Sequence, residues 1–121
     1  MVDFPEVFVE SRAQWRAWLE ANHVSSTGVW VVTWKRSTGR PQVTYEDLVE
    51  EGVCFGWVDS VAKRFGEERS GLRMTPRKRR SRWSRSNRER VARLQAAGLM
   101  SPAGLAVVER AKADGTWDSA P

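Results

Sequence analysis

Two stretches hold the side chains with the most chemical capacity: Cys54-Phe55-Gly56-Trp57-Val58-Asp59-Ser60, and TPRKRRSRWSRSN from Thr75 to Asn87. Arginine presents a planar fork of N–H donors that matches a carboxylate or phosphate, and serine and asparagine near a helix start can complete such a cradle. On that chemistry Arg77, Ser81, Ser84 and Asn87 form a candidate anion site. Trp57 and Trp83 would be flat walls for a base, a sugar or an aromatic ligand, and Asp59, next to Ser60, would orient one arginine by an ion pair. The same residues have a purely structural use. Trp57 and Trp83 would then lie in the core, Asp59 would pair with Arg77 to fix the loop, and the serines would cap a helix. An enzyme with its site at Asp59, Arg77 and Ser84 is a third use of these groups.

The surplus cations raise a nucleic-acid reading. Thirteen lysines and arginines fall between Lys63 and Arg93 against Glu67, Glu68 and Glu89, a local net charge of +10, while the rest of the chain nets −5. Neutralising phosphates releases counterions and aromatic rings stack on bases, so Lys78, Arg79, Arg80, Arg82, Arg85 and Arg88 are candidate nucleic-acid contacts. A charge run is equally a solvated face, and no glycine-aromatic RNA-recognition pattern or zinc-finger framework accompanies it. A cationic peptide would be repelled by this segment and would have to use the acidic residues Glu46, Asp47, Glu50 and Glu51.

Other reactive groups carry less. Cys54 lies between Val53 and Phe55, which suits a buried, inert thiol better than a nucleophile. His23, the only histidine, falls at the expected end of a helix, where it meets exposed carbonyls. No phosphate-binding glycine loop, nucleophile elbow or metal-ligand spacing occurs, so no cofactor and no metal are expected. The lone cysteine and an N-terminus with neither a signal peptide nor a membrane span predict a cytoplasmic protein without membrane insertion.

The elements that must position these groups follow from caps and periodicity. With 121 residues, 40% of them hydrophobic and 29% charged, one self-folding domain over residues 1–121 is expected. Ser11 and Gln14 have capping-box spacing and open a helix over about 12–22, with Trp15, Trp18 and Leu19 on one face. GVWVVTWKR, from Gly28, reads as a strand with Trp30, Val32 and Trp34 on one side and Val31 and Thr33 on the other. Residues 37–41 read as a turn. Thr44 and Asp47 cap a helix to about Glu51, which Gly52 ends or loosens. Val53–Phe65 reads as a buried strand or turn, and the segment around Leu72 and Met74 as a strand ending at Pro76. Ser84 or Ser86 caps a helix to about Ala97, with Val91 and Leu94 inward. Ser101-Pro102 starts another, with Leu105, Val108 and Ala111 inward and Gly115 as its end.

Taken in order, CFGWVDS, TPRKRRSRWSRSN and LQAAGLMSPAGLAVVERAKADGTW resemble the signature of the YdeI/OmpD-associated family, over about Trp15 to Trp117. Its aspartate-serine and proline-arginine positions match as Asp59, Ser60, Pro76 and Arg77. The resemblance implies a link to protection against bacteriocins and cationic antimicrobial peptides, with no established reaction or cofactor. The expectation is therefore an α+β domain, a few antiparallel strands packed against about four helices. Its expected function is that of a non-enzymatic binding protein with a protein partner or an anionic ligand, or alternatively a nucleic-acid-binding protein using residues 77–93.

Overall fold

The computed structural model describes residues 4–118. The chain runs β1 (Glu6–Phe8), α1 (Arg12–Asn22), β2 (Val29–Trp34), a 3-10 turn (Arg36–Thr38), α2 (Tyr45–Cys54), β3 (Trp57–Arg64), β4 (Arg69–Pro76), α3 (Arg85–Ala96) and α4 (Pro102–Asp114). The domain is α+β, and the four strands lie in the order β1-β2-β4-β3. β4 is antiparallel to both neighbours, whereas the short β1 runs parallel to β2, with α1 as the crossover between them. β1 has only three residues and carries no alternation long enough to be read, so it was absent from the expected elements.

Register decides which side chains meet the helices. Val29 opposes Met74 and Val31 opposes Leu72, and these four join Trp15, Leu19, Val49, Val53, Trp57, Val91, Leu94 and Val108 in one core. The four helices thus cover one side of the sheet. Trp30, Val32 and Trp34 point the other way, opposite Arg73, Gly71 and Arg69. β2 is apolar on both faces because it is an interior strand, as its β-branched and aromatic run anticipates.

Local signals place the helix starts. Ser11, Thr44, Ser84 and Ser101 each accept a hydrogen bond from a first-turn N–H, and at Thr44 the Asp47 carboxylate accepts in return from the Thr44 N–H. α2 extends past Gly52 to Cys54, contrary to the expected stop. A Cβ at Gly52 would overlap the Met74 side chain, so the glycine marks helix-to-sheet contact rather than a helix end. The segment 53–65 accordingly splits: its first two residues finish α2, Gly56 turns the chain with φ +76°, and β3 follows. Gly104, not Leu105, joins Val108 and Ala111 on the buried face of α4. No helix among the described residues is long and apolar enough to cross a membrane.

Candidate nucleic-acid interface

The residues expected to make an anion cradle are not brought together. Trp57 and Trp83 are each 1% exposed; Trp57 meets the Trp18 ring edge-on, and Trp83 packs on Trp117. Neither can be a wall for a ligand, because their faces are already covered by the core. Asp59 does not pair with Arg77. It accepts a hydrogen bond from the Tyr45 hydroxyl at 2.7 Å, which raises the Tyr45 phenol above its ordinary pKa, chiefly because the neighbouring carboxylate disfavours phenolate. Ser60 lies on the opposite side of β3 and accepts from Arg73 Nε at 3.0 Å. Ser84 caps α3, and Asn87 is spent there, donating its N–H to Ser84 and accepting from Arg90.

Arg77 is buried in its own compartment. Its Nη1 donates to Ser81 Oγ at 2.9 Å and to the Arg82 carbonyl at 3.3 Å, and its guanidinium lies 3.9 Å from the centre of the Trp83 ring. With no carboxylate beside it, burial pulls its pKa down to about 10, although Asp59 opposes the shift from a distance. The Arg77 N–H donates to the Gly56 carbonyl and the Trp83 N–H to Thr116, so the basic loop is tied to the core at both ends. No hydrogen bond or ion pair joins Asp59, Arg77 and Ser84, and the enzyme reading loses its site.

The acidic patch is engaged within the fold. Glu50 and Glu51 are 7% and 3% exposed, and with Glu46 and Asp47 they form an ion-pair network with Arg12 and Arg16 of α1 and Arg90 and Arg93 of α3. Arg90 grips Glu46 with two N–H groups at 2.7 and 2.9 Å, and that hydrogen bonding holds the Glu46 carboxyl down at about 2. These carboxylates cement three helices, so Glu50 and Glu51 are withdrawn from the surface expected for a cationic peptide, while Glu46 and Asp47 stay half-exposed but paired with arginines. Cys54 is fully buried and burial raises its thiol pKa; His23 Nδ1 donates to the Leu19 carbonyl. Among the described residues no three His, Cys, Asp or Glu side chains gather as a metal site.

The six basic candidates divide. Arg79 pairs with Asp114, Arg85 with Glu89, and Arg88 donates to the carbonyls of Trp83 and Trp117. Lys78, Arg80 and Arg82 are exposed and pair with no carboxylate among the described residues. Lys78 and Arg80 border two adjoining hollows on the helix-free side of the sheet. One, of about 620 Å³, is lined by Ser26, Thr27, Ser60, Arg73, Thr75 and Lys78 with Phe4 and Pro76; the other, of about 390 Å³, shares Thr75, Pro76 and Lys78 and adds Val58, Arg80 and Ser81. Their walls hold cations and hydroxyls and no carboxylate. That is the composition of a phosphate track. A separate hollow of about 480 Å³ lies on the helix side between Thr33, Val43, Tyr45, Leu48 and Leu72, with Lys35 and Arg36 at its border.

The sequence reading missed the cations of β3 and β4. Lys63 lies over Trp30 and Phe65, Arg73 over Trp30, and Arg69 over both Phe8 and Trp34, at 4.7 to 5.8 Å from the ring centres; Arg40 lies 4.7 Å from the Trp34 ring. The signal was the alternation in β4, where Arg69, Gly71 and Arg73 share one face. It was hidden because nothing local tells which side of the strand, that of Trp30 and Trp34 or that of Val31 and Thr33, the helices cover.

Fold and surface together define a small α+β domain with helices on one side of its sheet and an aromatic, cationic face on the other. The chain belongs to the family described as a domain of unknown function (DUF8412), which it matches over residues 7–107. No curated protein and no solved structure matches it.

Proposed function

We propose that the protein binds nucleic acid, with phosphates held in the hollows lined by Ser60, Arg73, Thr75, Lys78 and Arg80. The observation that carries this reading is the sorting of charge. The α2 carboxylates are consumed by arginines of α1 and α3, whereas Arg73, Lys78 and Arg80, around one hydroxyl-bearing groove, and the neighbouring exposed Arg82 pair with no carboxylate among the described residues. Such an uncompensated patch attracts a polyanion, and the hydroxyls supply the short-range contacts. The protection against antimicrobial peptides implied by the YdeI/OmpD resemblance is then indirect. A cationic peptide meets like charge at the groove and engaged carboxylates on α2.

The test is a fluorescence-anisotropy titration of a labelled 12-nucleotide strand at several salt concentrations, with wild type and the triple variant Lys78→Gln, Arg80→Gln, Arg82→Gln. The logarithm of the affinity should fall linearly with the logarithm of salt, and the triple variant should lower that slope by about 2, given roughly 0.7 per phosphate neutralised on a single strand. All three residues are exposed, so the circular dichroism spectrum should not change. A salt-independent affinity, or wild-type binding by the folded triple variant, would sink the proposal.

A further inference from the structure

The aromatic part of the sheet's helix-free face differs in kind from the hollows beside it, which are lined by cations and hydroxyls. Phe8 on β1 and Trp34 on β2 meet edge to face, with ring centres 5.2 Å apart, and Phe8 is 39% exposed. The Trp34 indole N–H donates to a Glu10 carboxylate oxygen at 2.8 Å, which fixes the plane of that ring. Trp30 and Phe65, 5.4 Å apart, make the floor of the same face, and the Phe65 ring covers Gly71, where a Cβ would collide with it. Arg69 lies 4.7 Å from the centre of Phe8 and 4.8 Å from that of Trp34. Arg73 joins the two regions: its guanidinium is 5.8 Å from the Trp30 ring while its Nε donates to Ser60 in the groove.

We propose that this face stacks the unpaired bases of a single-stranded nucleic acid on Phe8 and Trp34, while Arg69 and Arg73 move from the rings to the strand's phosphates. The inference rests on the nucleic-acid reading above and narrows it to single strands. The exchange is favourable in kind: a base stacked on an aromatic ring is worth more than an exposed cation–π contact, and the displaced guanidinium gains a phosphate. Of the carboxylates near the rings, Glu10 is held by the indole, and Glu68 pairs with Arg40, which itself lies over Trp34. A duplex keeps its bases stacked internally and offers these rings only backbone, so it gains the electrostatic contribution alone.

Anisotropy titrations should compare a 12-nucleotide oligothymidylate with a 12-base-pair duplex over the same series of salt concentrations, using wild type, Trp34→Ala, Phe8→Ala and the conservative Trp34→Phe. The single strand should bind wild type at least tenfold more tightly than the duplex. Each alanine variant should lose roughly tenfold for the single strand, leave the duplex affinity unchanged, and keep the salt slope, while Trp34→Phe retains most of the binding. Ultraviolet cross-linking of wild type followed by peptide mass spectrometry should place adducts on Phe8 and Trp34, which keeps the idea testable if an alanine variant misfolds. Equal affinity for duplex and single strand, adducts confined to residues 77–93, or displacement by polyglutamate of equal charge as readily as by the oligonucleotide would overturn it. If the basic-loop variant weakens binding while the aromatic variants do not, nucleic-acid binding stands and base stacking falls; if nothing binds, both fall.

Discussion

Glu46 shows how a single residue in this protein can be read as free charge and turn out to be mortar. Its carboxyl ordinarily titrates near 4.5, and the Arg90 hydrogen bonds hold it at about 2 in the fold, with Arg93 adding attraction and desolvation opposing. Because the folded pKa is depressed, the unfolded chain binds more protons between these values, so this contribution is complete above about pH 4.5 and is lost as pH falls toward 2. Thermal melts of wild type and Glu46→Gln should therefore differ at pH 7 and draw markedly closer by pH 2.5. The difference at pH 7 should be about 1 kcal/mol or less, since Glu46 is 45% exposed and solvent screens the pair. A gap that persists unchanged at pH 2.5 would mean that Glu46 acts through packing instead. At this scale the sequence was informative about type and blind to partner. Arg77 was legible as an anion-binding or loop-fixing group, yet it is buried against the Trp83 ring and its expected partner Asp59 went to Tyr45, because β3 turns Asp59 to the helix side where α2 supplies the hydroxyl.

Among the elements, α2 and α4 depend on each other through their ends. The Cys54 carbonyl at the end of α2 accepts from both the N–H and the hydroxyl of Ser101, at 2.9 and 2.6 Å, while Ser101 also caps α4 by accepting from Gly104 N–H. Helix starts of this kind are readable because cap and first turn are neighbours in sequence, and Ser11, Thr44, Ser84 and Ser101 all cap as expected. The close approach they permit is not readable. A Cβ at Gly104 would overlap the Cys54 carbonyl, a backbone group that cannot rotate away, so Gly104→Ala should lower stability by about 1–3 kcal/mol, seen as an earlier urea midpoint with the slope kept. A wild-type midpoint would show that α4 shifts to accommodate the methyl. The extension of α2 beyond Gly52 has the same origin: helix contact with Met74 used a residue whose local preference is to end helices.

Over the whole molecule, the arrangement of charge matters more than its sum. If the cationic face binds single strands only in the folded state, a 12-nucleotide strand at 100 times its Kd should stabilise the fold by about 2.7 kcal/mol, and the rise in Tm should shrink as salt is added. A Tm unmoved by saturating strand would require equal binding to the unfolded chain. By itself the sequence determined the α+β class, the helix caps, the strand of alternating tryptophans and the surplus of cations, since each depends on neighbours along the chain or on composition alone. Only the tertiary structure decided which cations stay free and which face of the sheet stays open. Pairing Glu46, Glu50 and Glu51 with arginines about forty residues away, and leaving Trp30, Phe8 and Trp34 to be covered by Arg69 and Arg73 rather than by a helix, depends on strand order and register. Those are properties of long-range packing, which local periodicity does not encode.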